Sequence, residues 1–196
     1  MKPTFAIASF VLLFLILTNC DNSESTDPET SSQFIVDQIT YTIDQAAMVE
    51  LLGNPFLIDM KVILFASGGL RFDADSNREL KIRGKGQLMG FMIYNKKGDP
   101  LTNGDHFVNL RPPYNKGEVS LGFYSIEWDE ADGLVFYEDK EGPTLLAGKV
   151  TVLDSGDEVS FNFNFTDNRG KILTGTFNGK LQKNLIYRTE QIDFED

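Results

Sequence analysis

Glu158-Val159-Ser160-Phe161-Asn162-Phe163-Asn164-Phe165 alternates apolar and polar side chains. Val159, Phe161, Phe163 and Phe165 fall on one face, and Ser160, Asn162 and Asn164 on the other. A period of two describes a half-buried antiparallel strand with one wet face. Asp154-Ser155-Gly156-Asp157 before it and Asp167-Asn168-Arg169-Gly170 after it carry turn chemistry, because Gly and Asn tolerate positive φ. Leu145 to Leu153 reads as the preceding strand and Ile172 to Leu181 as the following one, a three-strand meander that Asn184 to Arg188 extends. Upstream, Phe34 to Val36 and Ile39 to Ile43 flank Asp37-Gln38 as a tight hairpin. Phe56 to Ala66 is a long apolar strand. Leu80 to Arg83 and Gln87 to Tyr94 are strands, with Gly84 and Gly86 marking a bulge or bend. Val119 to Glu127 and Leu134 to Tyr137 complete the set. Gln45 to Leu52 reads as a helix of about two turns stopped by Gly53-Asn54-Pro55, with an edge strand as the alternative. The expected fold is all-β, an antiparallel β-sandwich with one short helix, over residues 33–196; a closed barrel is the alternative closure.

The N-terminus carries a different signal. Lys2 precedes an apolar run from Phe5 to Leu17 that only Ser9 interrupts. That run is short of the roughly 20 residues a membrane-spanning helix needs and suits a secretory signal. It ends at Leu17-Thr18-Asn19-Cys20, which resembles the lipobox of bacterial lipoproteins. The resemblance implies that residues 1–19 are a signal peptide, that Cys20 is lipidated, and that the membrane is a partner through that anchor. Each buried acyl CH₂ contributes about 0.8 kcal/mol, so the two or three chains such proteins carry would make the anchor effectively permanent. Cys20 is the only cysteine; its lipidation removes disulfides, thiolate catalysis and cysteine metal sites from the mature chain. Residues 20–32 hold no apolar side chain after Cys20 and read as a flexible tether, extended by Asp21, Glu24, Asp27 and Glu29. Acids behind the cysteine resemble the surface-export signal of Bacteroidetes lipoproteins. An aspartate directly after it resembles an enterobacterial inner-membrane retention signal; the repeated acids favour the first.

Composition narrows the chemistry. Twenty-nine Asp and Glu stand against eighteen Lys and Arg, a formal net charge of −11. With no basic excess to neutralise phosphates, nucleic acid is not an expected partner. His106 is the only histidine and reads as a solvated loop residue in Asn103-Gly104-Asp105-His106. One histidine rules out bis-histidine haem and zinc sites built from several histidines, and no nucleophile elbow is present. Asp73, Asp75 and Asn77 alternate oxygen side chains as a calcium loop does, but Arg78 stands where the EF-hand glycine belongs. Acids cluster at Trp128 to Gly133 and Glu138 to Glu141, without the cleft a carboxylate pair needs for glycoside hydrolysis. Pro112-Pro113-Tyr114-Asn115 is a stiff loop, and Tyr114 and Trp128 are the candidate ligand-binding aromatics. Tyr124 and Tyr137 lie in strands and read as core or rim.

Three segments carry a family likeness: Phe34-Ile35-Val36-Asp37-Gln38-Ile39-Thr40-Tyr41; Gly84 to Tyr94 with Leu101-Thr102-Asn103-Gly104-Asp105-His106-Phe107; and Ala147 to Val152 through Gly170-Lys171-Ile172-Leu173-Thr174-Gly175-Thr176-Phe177-Asn178-Gly179-Lys180-Leu181. Together they resemble small Bacteroidetes cell-surface lipoproteins with a single β-sandwich domain. In that family's turn an aromatic lies close after the glycine, whereas here Asp105-His106 intervenes before Phe107. A lipocalin would open with Gly-x-Trp, and Trp128, the sole tryptophan, lies far from the N-terminus. The resemblance implies an outer-membrane, surface-exposed lipoprotein and assigns no catalytic residue and no cofactor. The functional expectation is a non-enzymatic binding or accessory module. A glycan-binding component of a polysaccharide-uptake system and a structural or adhesive envelope protein, with a glycan or an envelope protein as partner, are the alternatives.

Overall fold

The computed structural model describes residues 31–53, 59–96, 98–132 and 142–188. The expected signal segment 1–19, Cys20, most of the expected tether, the expected strand at Leu134–Tyr137 and the acids Glu138–Glu141 lie outside them. Among the described residues thirteen strands run in chain order: β1 (Gln33–Val36), β2 (Ile39–Thr42), β3 (Gln45–Leu52), β4 (Met60–Ser67), β5 (Arg71–Ala74), β6 (Leu80–Arg83), β7 (Lys85–Tyr94), β8 (Gly104–Phe107), β9 (Val119–Asp129), β10 (Leu145–Ser155), β11 (Val159–Asp167), β12 (Ile172–Gly179) and β13 (Gln182–Arg188). They form a six-stranded sheet β2-β1-β12-β11-β10-β8, a five-stranded sheet β13-β3-β4-β7-β9, and the separate hairpin β5-β6. The fold is an all-β sandwich.

The alternation in β11 does what its period requires. Phe161, Phe163 and Phe165 are buried between the sheets with Val150, Val152, Leu173 and Phe177, while Asn162 and Asn164 face water. Opposite them stand Ile63 and Phe65 of β4 and Met89, Phe91 and Ile93 of β7. Phe65 meets Phe91, Phe161, Phe163 and Phe177 at centroid distances of 6.0, 6.1, 5.6 and 5.3 Å. Phe163 also lies over Gly175 on the neighbouring strand, where an added Cβ would stand 2.3 Å from the ring. The glycine of Thr174-Gly175-Thr176 is therefore a packing requirement.

The five-stranded sheet is buried on both faces. All eight residues of β4 are buried. Ile63 and Phe65 point to the first core, while Met60, Val62, Leu64 and Ala66 point to a second one, with Val49, Leu51, Leu88, Met92 and Trp128. Leu70, Phe72 and Leu80, from the β5-β6 hairpin and its lead-in, cap that second core. Hence the unbroken apolar run Val62–Ala66 within β4: a strand covered twice needs no polar face.

Two expectations are corrected. Gln45–Leu52 is strand β3, not a helix, and it is interior rather than an edge, paired with β4 on one side and β13 on the other. Tertiary pairing overrides the helix-friendly Ala-Ala-Met run. The only helical element among the described residues is a 3₁₀ turn at Glu130–Asp132. Asn184 to Arg188 does not extend the meander; the chain crosses to the other sheet before Gln182, and β13 pairs parallel to β3 with a register shift between Gln182 and Leu185. The sheets are drawn together along the β9 side by the isolated bridges Val108–Val119 and Phe123–Thr144. There the Tyr124 hydroxyl donates to Asp167 Oδ2 at 2.8 Å. Burial alone would raise the Asp167 pKa; bonds from the Lys171 amide, the Tyr124 hydroxyl and the Arg169 amide outweigh it and hold the carboxyl below its ordinary value.

Phe65→Ala removes the ring that joins the two sheets, and we expect a loss of about 3–5 kcal/mol, read as a lower urea midpoint with an unchanged slope.

Candidate functional site

The chain enters the fold at Ser32, whose carbonyl accepts from Ile43 N, beside Asp44 N to Ala66 O. Met60, at the other end of β4, pairs with Tyr94. Six residues of strand separate these points, about 20 Å. At the far end Tyr94 exchanges backbone bonds with the segment after Asn109: Tyr94 N donates to Glu118 O at 2.8 Å and Gly117 N to Tyr94 O at 2.7 Å. The loop from Asn109 to Glu118 therefore stands at the end opposite Ser32.

That loop is tied to itself. Glu118 accepts from Asn109 Nδ2 at 2.8 Å, from Asn115 N at 2.8 Å and from Asn115 Nδ2 at 2.9 Å. Asn109 Oδ1 takes the Arg111 amide at 3.0 Å. These bonds, from the Asn115 side chain first, hold the Glu118 carboxyl below its ordinary range. A second loop is bound to the first: Lys116 Nζ pairs with Asp99 Oδ2 at 2.8 Å and lowers the Asp99 pKa. The buried Lys61 ammonium and Asn95 Nδ2 both donate to the Asp99 carbonyl. Desolvation pushes the Lys61 pKa down, against the attraction of Glu50 and Asp99. Two prolines with fixed φ stiffen the tip, and the Pro112–Pro113 bond is cis. The loop presents to solvent Leu110, 41% exposed, with Arg111, Pro112 and Pro113, and beyond Tyr114 the polar Asn115 and Lys116.

His106 departs from its expected role as a solvated loop residue. It lies in β8 and is 6% exposed. Its Nδ1 is 2.7 Å from Gly117 O and its Nε2 2.7 Å from Thr102 O. Both neighbours are backbone carbonyl oxygens. The ring joins β8 to the end of the 109–118 loop, and a Cβ on Gly117, where φ is +89°, would stand 2.5 Å from Nδ1. Nothing in a single histidine between Asp105 and Phe107 marked this clamp.

Tyr114 is half-buried and packs on Tyr94 at 6.2 Å between centroids. Trp128, 6% exposed, lies at the other end of β9, paired with Gly86. About eight strand residues, roughly 26 Å, separate the two, so they do not share one platform. Trp128 instead lines a cleft of about 320 Å³ with Leu80, Ile82, Arg83, Glu130 and Tyr187. Asp73, Asp75 and Asn77 also have local roles. Asp73 pairs with Arg83 at 3.3 Å. Asp75 Oδ1 accepts from Asn77 N at 2.8 Å and Glu79 N at 3.0 Å, closing the β5-β6 turn, and the Glu79 bond leads in lowering its pKa. Among the described residues no three of His, Cys, Asp and Glu gather as a metal site. No protein family, curated protein or solved structure matches the chain.

Two outcomes are expected. His106→Ala removes the buried ring between the Gly117 and Thr102 carbonyls and costs about 1–3 kcal/mol, checked by denaturant titration. Because the folded Glu118 pKa is depressed, the ties it accepts are complete at neutral pH and are lost as pH falls through the folded value. The Asn115 amide resonance then titrates with a midpoint below about 4.3, the ordinary glutamate value, and Glu118→Gln abolishes that titration.

Proposed function

We propose that this chain is a lipid-anchored outer-membrane protein, displayed at the cell surface through Cys20 and an acidic tether, whose sandwich serves as a non-enzymatic binding or accessory module. The carrying observation is the self-tied loop at the end away from the tether. A surface loop ordered in advance loses little entropy on docking, and loops on rigid scaffolds commonly carry recognition. Its exposed leucine, arginine and prolines suit a protein contact, since arginine is enriched at interface centres. The Arg111 guanidinium stands out on a chain of net charge −11. A second reading, a glycan-binding component of a polysaccharide-uptake system, draws its support from the cleft beside Trp128.

Cys20→Ala is expected to move the protein from the membrane fraction to the soluble one; unchanged fractionation would remove the anchor from this reading. Replacing Asp21, Glu24, Asp27 and Glu29 with alanine is expected to protect the domain from protease added to intact cells. A photo-cross-linking residue at Leu110 should form a discrete adduct on intact cells that Arg111→Glu eliminates, while the same probe at the exposed Ile172 should not. Equal labelling at both positions would overturn the docking role of the loop.

A further inference from the structure

Strand β6 crosses the outer face of the five-stranded sheet. Its lead-in is bridged to β13 through Glu79 and Ile186, and its far end is tied to the residue after β9 by Glu130 N to Gly84 O at 3.1 Å. Leu80-Lys81-Ile82-Arg83 alternates, so Leu80 and Ile82 turn toward the second core and the cations turn outward. The cleft between this strand and the sheet has an apolar wall of Trp128, Tyr187, Leu80 and Ile82 and a polar rim of Lys81, Arg83 and Glu130.

We infer that this cleft takes an uncharged, hydroxyl-bearing ring, a saccharide unit; the inference rests on the glycan-binding reading and names its site. Charge decides between ligand classes. Arg83 stands 3.3 Å from Asp73 and 3.7 Å from Glu130, and Lys81 stands 3.8 Å from Glu79. Each cation of the lining thus faces a carboxylate. An anionic ligand would meet Glu130 and Asp73, and a cationic one would meet Arg83. The 3.7 Å separation is longer than a hydrogen bond, so guanidinium hydrogens and carboxylate lone pairs are left for a third group. A hydroxyl donates and accepts at once and so bridges such a pair without net charge. A pyranose offers C–H bonds on its face for the aromatic wall and hydroxyls on its edge for the rim. The volume of about 320 Å³ is near the lower bound for ligand pockets and matches one or two rings.

Trp128 is the only tryptophan in the chain, so its emission reports on this cleft alone. The full-length protein in detergent is titrated with cellobiose, maltose and lactose, with galacturonate as the anionic ring and adenosine as a flat heterocycle, by fluorescence and calorimetry in parallel. The expected result is a saturable change in Trp128 emission with at least one neutral disaccharide. Affinity for galacturonate and adenosine should be at least tenfold weaker, and Arg83→Met and Glu130→Gln should each weaken the disaccharide at least tenfold. Calorimetric binding of a disaccharide that leaves Trp128 emission and both variants unaffected would overturn the cleft while keeping the glycan reading. Tighter binding of galacturonate or adenosine would overturn the ligand class. No heat and no emission change with any saccharide would overturn the glycan reading itself.

Discussion

The Phe65 ring holds the two sheets in register. It comes from the middle layer and meets Phe161, Phe163 and Phe177 from the layer opposite. Aromatic side chains bury the largest areas in a core, and offset or edge contacts at these distances add to that burial. The constraint spreads outward from there. Gly175 must lack a Cβ because Phe163 lies across it. Phe91 must stand beside Phe65 on β7, where it also meets Phe161 and Phe165. Because Phe65 points one way along β4, Leu64 and Ala66 must point the other, and a second apolar face is created.

That second face is why the molecule is more than two sheets. Val62, Leu64, Leu88 and Met92 cannot be left to water, so the β5-β6 hairpin folds over them. A hairpin of two four-residue strands reaches from β13 to the end of β9 but covers only the part of the sheet beneath it. The cleft beside Trp128 lies along β6, where the apolar floor is met by charged side chains of the cover. The candidate ligand site is thus a consequence of how the second core is closed.

At the other end of β4 the solution is polar. Glu118, Asp99, Lys116 and Lys61 tie two loops and a strand together by charge-assisted bonds, and the His106 ring adds contacts to two carbonyls. Such bonds are shorter and stronger than neutral ones, and they order a loop that has little core beneath it. The two ends therefore differ in kind: one holds Ser32, and the other holds a self-tied, partly apolar tip about 20 Å away.

By itself the sequence determined the all-β class, because a period of two in Val159 to Phe165 suits only a pleated strand. It also determined the turns, through glycine and asparagine, and the hairpin at Asp37-Gln38, where both residues take positive φ. Tertiary structure alone decided the rest. Gln45–Leu52 became an interior strand because strands on both sides offered it backbone partners. β13 changed sheets because a local pattern does not state which neighbour a strand will have. Trp128 and Tyr114 were legible as aromatics but not as residues at opposite ends of one strand's reach. His106 looked solvated because its two partners, Thr102 and Gly117, are backbone carbonyls, and a carbonyl leaves no mark in the sequence.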